Sequence, residues 1–334
     1  MRRLGAVILI AAVAGALGAP SLAPHSTEQR FANLLNAPPT AIHVRDATGR
    51  WRRPFIYPFT RISQLEQAYE VARSTPVPLA WFVNGRLVES GDDARAPLLL
   101  LGADSFGRDV FSRLLYGARL SLSLALLAAL GATILGALTG GIAGYVGGAF
   151  DEVLMRLSDF VLVLPAMYVA LVLRSMMQLR LETSAVFALL TAIFAIVGFP
   201  FIARGVRGIV RTERNLDYAA AAASLGAGHV RLLVRHLLPA TLGFIFVEIT
   251  LLVPAFIVAE ATLSYVGLGF PDTIASWGTM LQDASSVSAF ADFPWLLSPA
   301  AAMFLVVLGL NLILQGGPTQ VHAKTGAPRY ERPM

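Results

Sequence analysis

The chain has 334 residues, of which 56% are hydrophobic and 14% charged, with a formal net charge of +5 and no cysteine. A soluble domain carries about 25% charged residues, so an ordinary water-soluble fold is excluded. Without cysteine there is neither a disulfide nor a thiolate metal site, and the basic residues form no tract interleaved with stacking aromatics of the kind that binds nucleic acid.

The apolar residues are gathered into long runs. Leu120–Phe150, Thr183–Ala203 and Phe293–Gln315 contain no charged residue. Each exceeds the roughly 20 residues a helix needs to cross a bilayer core of about 30 Å. A backbone in hydrocarbon must satisfy its own hydrogen bonds, so these runs are expected to be helices. Six spans follow in chain order: 4–23, 120–146, 160–179 (interrupted by Arg174), 183–203, 237–259 and 294–315. The fold class is an all-α polytopic membrane bundle of six spans, or five if the first is cleaved. Arg2, Arg3 and the Ala-Leu-Gly-Ala run at 16–19 also suit a signal peptide, but the apolar stretch is long, which favours a retained anchor over residues 1–23.

Residues 24–100 are read as an external insert, a small outer domain or cap, with a loosely ordered loop as the alternative. Pro38-Pro39 and an aromatic-proline patch around Trp51–Phe59 precede a helical pattern over 62–73. Val77–Val83 and Arg86–Val88 flank Asn84-Gly85, the turn dipeptide that matches the twist of a hairpin. In 110–119, Val110, Phe111, Leu114, Leu115 and Ala118 share one helical face and Arg108, Asp109, Ser112 and Arg113 oppose it. That pattern predicts an interfacial collar. Gly140 and Gly144 have the small-xxx-small spacing that lets helices approach closely. Asp151, Arg156 and Asp159 are close enough to pair within their short turn, with a solvated turn as the default reading.

Short segments carrying Arg2, Arg3, Arg156, Arg204, Arg207, Arg211, Arg214, Arg231, Arg235, Lys324, Arg329 and Arg332 fall on one side of these spans, and only Arg180, with Arg174 near a helix end, on the other. The basic side is cytoplasmic by the usual bias, so both termini, including a tail at 317–334, are expected inside. The cytoplasmic loop 204–239 is long for a bundle connection. Tyr218–Leu225 is an alanine-rich helix former, Gly226 stops it, 230–238 forms a second short helical stretch with Arg231 and Arg235 on one face, and Pro239 opens the next span. An elbow of this kind is shaped to dock into a groove on another protein. Glu248 lies within the fifth span, where an ionisable group faces a cavity or the bundle interior; it is the candidate pathway-lining residue, with a hydrogen bond to a neighbouring helix as the alternative. Glu260, near the interface, reads as structural.

Ala221-Ala222, Gly226 and His236-Leu237-Leu238-Pro239 resemble the "EAA" coupling loop of ATP-binding-cassette importer permeases, with Ala220 where that family has an acidic residue. Three further stretches resemble the oligopeptide/dipeptide (nickel) branch: Leu101–Arg119 with Ala103 where threonine is usual, Ala143–Asp159, and Glu260–Gly269 followed by Ser276–Leu281. The resemblance covers residues 101–316. It implies a type I importer-like transmembrane domain with Tyr218, Ala221, Ala222, Gly226, His236, Leu238 and Pro239 as the ATPase-coupling loop. It also implies partners: a homologous permease, two ATP-binding subunits at the cytoplasmic face, and an external solute-binding protein. A bacterial inner-membrane location and peptides or similar small solutes as cargo follow from it, with nickel or another solute as the alternative. The chain has no Gly-x-x-x-x-Gly-Lys-Ser/Thr loop, no metal-ligand spacing among its five histidines and no catalytic cluster. It is therefore read as a non-enzyme without a cofactor, its ATP bound by the partner subunits. A stand-alone secondary transporter or channel is the rival class, and would need ion-coupling charges in several spans.

Overall fold

The computed structural model describes residues 1–46, 49–63, 67–164, 168, 182–285 and 291–315. Helix α1 (Arg2–Leu17) and the single turn α2 (Ala19–Leu22) lead into the insert. Six strands follow: β1 (His43–Arg45), β2 (Trp51–Ile56), β3 (Phe59–Ser63), β4 (Ala68–Val71), β5 (Val77–Val83) and β6 (Arg86–Ser90). The bundle then runs α3 (Val110–Val146), α4 (Gly148–Val163), α5 (Thr183–Glu213), α6 (Asp217–Ser224), α7 (His229–Leu232), α8 (Leu242–Tyr265), α9 (Trp277–Asp283) and α10 (Ser298–Gln315). Among the described residues, four helical segments are long and apolar enough to cross a membrane: Val110–Val146, Thr183–Glu213, His229–Tyr265 and Pro294–Leu314; α1, expected as the first span, has 16 residues and is continued only by the turn α2. The expected third span lies mostly outside the described residues, as do Arg174, Arg180 and the tail.

The helices exceed the predicted spans at their polar ends. The expected collar at 110–119 and the span at 120–146 are one rod of 37 residues, about 55 Å long at 1.5 Å per residue. Asp109 caps it by accepting from the Phe111 and Ser112 amides. Likewise α5 carries the span at 183–203 on to Glu213.

The bundle core is the seam between α3 and α5, lined on α3 by Leu124, Ala128 and Ala132 and on α5 by Leu190, Phe194, Ile202 and Val206. Glycines set its closeness. A Cβ on Gly140 would stand 2.2 Å from the Ala203 carbonyl oxygen, and one on Gly144 2.6 Å from that of Arg207, so the expected small-residue packing is realised at both positions. Helix α1 crosses α10 in the same way, a Cβ on Gly5 lying 2.6 Å from the Gly309 oxygen.

The insert is built of strands. The order β1-β2-β5-β6 makes one antiparallel sheet over a core of Ile56, Val77, Leu79, Ala96 and Leu98. The Asn84-Gly85 hairpin forms as expected, with Val83 opposite Arg86 and positive φ at both turn residues. The helical pattern over 62–73 is overturned: β3 and β4 pair there, Phe59 opposite Val71 and Arg61 opposite Tyr69. Phe59 and Tyr69 meet edge to face, and the Tyr69 hydroxyl donates to the Leu35 carbonyl at 2.5 Å. These tertiary contacts outweigh local helix propensity.

Candidate functional site

The loop end of the bundle holds the elbow. Helix α6 buries Ala219 and half-buries Ala222 against the core, leaving Ala220, Ala221, Ala223 and Leu225 outward, with Leu225 90% exposed. Its C-terminus closes as a Schellman motif: the Ala227 amide donates to the Ala222 carbonyl at 3.1 Å, and the Gly226 amide to that of Ala223 at 2.9 Å. Gly226 takes φ +88°, open to glycine and strained for other residues. Tyr218 donates to Glu213 Oε2 at 2.7 Å; burial and that carboxylate push its phenol up to about 12.

Beyond the elbow, the second short stretch is part of one rod from His229 to Tyr265. It is wound unevenly, with a π turn at Leu233–Leu237 and a 3₁₀ turn at Leu238–Thr241. Pro239 has no amide to donate within it, and the rewinding accommodates that loss. Leu237 is buried, His236 and Leu238 half-buried and Pro239 exposed, while Leu238 packs on Gly141 of α3. Tyr145 and His229 Nδ1 are hydrogen-bonded at 2.6 Å, and Arg214 donates to the Tyr145 carbonyl at 2.7 Å. An open groove of about 750 Å³, walled by Tyr145, Arg214, Ala219, Ala223 and Leu233, separates the elbow from α3. Of the residues named from sequence, Tyr218, Ala221, Ala222 and Gly226 lie on α6 and its C-terminus, and His236, Leu238 and Pro239 in the rewound start of the rod that follows; Ala220 and Ala223 line the groove and Ala221 is exposed.

Asp151, Arg156 and Asp159 neither pair with one another nor form a solvated turn: they lie on α4 and α4 is tied to α5. Asp151 receives Arg207 Nη2 at 2.6 Å, Asp159 pairs with Arg204, and Arg156 pairs with Glu152 one turn back. Asp151 and Asp159 lie two helical turns apart on α4, and Arg204 and Arg207 one turn apart on α5, so the four residues clamp these helices. Hydrogen bonding from Arg207 holds the Asp151 carboxyl below the usual carboxylate range. The clamp grips the part of α5 that runs into the elbow.

At the insert end, the residues expected on the exposed face of a collar are buried instead. Arg108 and Arg113 are 2% and 1% exposed. Asp104 accepts from the Phe106 and Arg108 amides, both at 2.9 Å, and from Arg108 Nε at 2.6 Å. Arg108 also donates to Asp283 at 2.7 Å and to the Asp272 carbonyl at 2.9 Å. Burial pushes the Asp283 carboxyl up to about 6 despite Arg108 beside it. These residues join the start of α3 to α9 and the loop before it. Behind α1, the ring of His25 lies 3.2 Å from Asp93 of the insert and 3.2 Å from Asp109. Sequence reasoning missed this histidine, which only the tertiary fold brings to its two carboxylates.

Glu260 is fully buried and structural, as expected. It accepts from Ser121 and Ser264, both at 2.8 Å, and Ser121 Oγ in turn accepts from the Trp277 amide at 3.3 Å. Gly278 lets α9 lie on α8, since a Cβ there would meet Ala261 Cα at 2.7 Å. Glu248 is half-buried on α8, at the edge of an exposed stripe formed by Val247, Leu251 and Val258, with no hydrogen-bond partner among the described residues.

Residues 132–317 match the family described as binding-protein-dependent transport system inner membrane component. The oligopeptide transport system permease protein OppC of Bacillus subtilis (strain 168) is 37% identical over 216 residues, covering 64% of this chain and 68% of that one. The dipeptide transport system permease protein DppC of the same strain is 38% identical over 215 residues, covering 64% and 65%. The glutathione transport system permease protein GsiD of Pectobacterium atrosepticum is 35% identical over 216 residues, covering 65% and 69%. A solved inward-facing structure of the MetNI methionine ABC transporter is a more distant likeness, with 16% identity over 60% of this chain and 94% of that one at a TM-score of 0.45. The family match spans more than half of the chain and takes in α5, the elbow and α8. The chain therefore belongs to the binding-protein-dependent transport system inner membrane components, and is a multi-pass permease subunit of an ATP-binding-cassette importer.

Proposed function

We propose that this subunit forms one half of a pathway for peptides or similar small solutes, pairing with a homologous permease. Two ATP-binding subunits grip the elbow from the cytoplasm, and an external solute-binding protein delivers the cargo. The chain is not itself an enzyme and holds no cofactor, ATP being bound and hydrolysed by the partners. Both termini are cytoplasmic and the insert is external, an orientation supported by the basic bias of the loop end. Peptide cargo is supported by the names of the relatives, the dipeptide and oligopeptide permeases among them.

The observation that carries this reading is the elbow. Ala220, Ala221 and Ala223 are exposed on α6 without side-chain bulk, Ala220 and Ala223 toward the groove beside α3, so a partner can close on its backbone. The rod that follows is continuous from His229 to Tyr265. A push on α6 therefore reaches α8 directly, and reaches α4 through the Asp151–Arg207 and Asp159–Arg204 pairs. With Ala220 in place of an acidic residue, the docking is steric and apolar in character. Glu248 lines the pathway, where it would receive a cationic group of the cargo.

The test is purification of the tagged chain in mild detergent beside Gly226→Pro. Proline needs φ near −65° where the chain has +88°, so the variant unhinges α6. Wild type is expected to bring down a nucleotide-binding subunit with ATPase activity and a second permease, and the variant to lose the ATPase. A wild-type chain that purifies alone and still moves solute in vesicles would replace this reading with the secondary transporter.

A further inference from the structure

The insert carries an apolar tip that its own core does not use. Strand β5 alternates properly at Val77 and Leu79, which face the insert core, and then loses alternation. Trp81, Phe82 and Val83 are all exposed, Phe82 by 78%. Phe82 also adopts φ +56°. A bulky residue held in the left-handed region is strained, and strain of this kind marks functional positions. Here it turns an aromatic ring outward at a cost in both backbone and hydration energy. The sheet register puts more of the same chemistry at this end: β2 runs antiparallel to β5 and β1 to β2, so Trp51 and Arg45 lie at the end of the sheet where the β5–β6 hairpin turns. Arg45 stacks on the exposed Trp51 ring at 4.3 Å.

The place of this tip is fixed by Arg86, beside the turn. Its guanidinium donates to the Pro24 carbonyl at 2.5 Å. Pro24 follows α2, and a helix starting at the basic pair Arg2-Arg3 reaches the far side of a bilayer core after roughly 20 residues, which is where Leu22–Pro24 lie. Helix α1 presents Leu4, Val7, Ile10 and Leu17 outward, each more than half exposed, as a lipid-facing stripe on the helix that leads to Pro24.

We propose that the β5–β6 hairpin tip is a membrane anchor: Trp81, Phe82 and Val83 dip into the outer-leaflet interface, with Trp51 and Arg45 at the headgroup level. Tryptophan and arginine at an apolar edge are the composition that this layer favours. The anchor holds the insert down beside α1 rather than upright over the bundle. The proposal rests on α1 crossing the bilayer, and is independent of which solute is carried.

The chain has no cysteine, so a single Phe82→Cys site on the full chain, purified with its accompanying subunits into lipid nanodiscs, takes one environment-sensitive fluorophore. Ile62→Cys on β3, 66% exposed, is the reference. Nitroxides on the lipid headgroups are expected to quench the label at position 82 severalfold more than at 62, and iodide in the water to quench it severalfold less. Equal quenching at the two sites would overturn the anchor. So would a label at 82 shielded from both quenchers, which would place a protein partner on the tip instead. Transport and ATPase co-purification are read on the same sample, so failure of the anchor and failure of the importer reading separate cleanly.

Discussion

Replacing Gly140 by alanine probes the seam on which the bundle depends. The added Cβ would stand 2.2 Å from the Ala203 carbonyl oxygen and 2.9 Å from its carbonyl carbon and Cα. All three are backbone atoms of α5, so no side chain can swing away. Real Cβ contacts essentially never fall under 3.0 Å, and the two helices must therefore part by about 0.8 Å, within the range where overpacking costs about 1–3 kcal/mol. The loss spreads to Gly136 and Gly144, whose approaches to α5 rely on the same spacing. Gly208 on α5 is the internal control, since a Cβ there meets nothing within 4 Å. Alanine at that helical position should add about 0.5–1 kcal/mol by restricting the unfolded chain. At roughly 2–4 °C per kcal/mol for a chain of this order of size, thermal unfolding in detergent should show Gly140→Ala several degrees below wild type and Gly208→Ala at or above it. A Gly140→Ala protein as stable as Gly208→Ala would refute the close-packed seam.

Three further predictions follow from the buried polar groups. Burial alone would lower the His25 pKa, but its hydrogen bonds to Asp109 and Asp93 and their charges outweigh this and hold it at about 9, up from 6.5. A raised value means the stabilisation is complete below pH 6.5 and fades as pH rises through 9. Wild type should then lose on the order of 3 kcal/mol across that window, and melting temperatures of His25→Gln should be nearly flat over it. Glu260→Leu strands the hydroxyls of Ser121 and Ser264 without their acceptor, at about 1–3 kcal/mol for each buried group; Glu260→Gln, which keeps an acceptor, should melt closer to wild type. For the α4–α5 clamp, Asp151 is buried, so Asp151→Arg and Arg207→Asp singly should cost more than the roughly 1 kcal/mol of an exposed ion pair and reduce ATPase coupling. The double reversal should restore coupling. Because the Asp151 pKa is depressed, the clamp's contribution is present above the ordinary carboxylate range and is lost as pH falls through the lowered value.

Much of this was legible where the signal is local. Asn84-Gly85 specifies its hairpin through φ alone, and Gly226 closes α6 by the same freedom. Uncharged runs mark the cores of the membrane helices because hydrocarbon leaves the backbone no other solution. They do not mark helix ends, since Val110–Arg119 and Arg204–Glu213 are polar enough to read as collar or loop while continuing the same rods. The strands β3 and β4 were hidden because Phe59 and Tyr69 find partners only after folding. Long-range ion pairs were hidden for the same reason: Asp151 and Arg207 lie 56 positions apart, and local sequence offers only the nearer Arg156 or water as a partner. Burial of Arg108 and Arg113 likewise needs Asp272 and Asp283, from more than 150 residues away. The join between α6 and the rod that follows was half-visible, its landmarks Gly226 and Pro239 being plain and the uneven winding between them not.

The most direct test of the coupling account uses Leu225, the outermost residue of the elbow. Leu225→Cys in this cysteine-free chain provides a single crosslinking site, to be joined to its neighbour in native membranes with and without ATP. The account predicts a specific crosslink to a nucleotide-binding subunit whose yield changes with nucleotide. A label that remains free, or that joins another protein regardless of ATP, would contradict it.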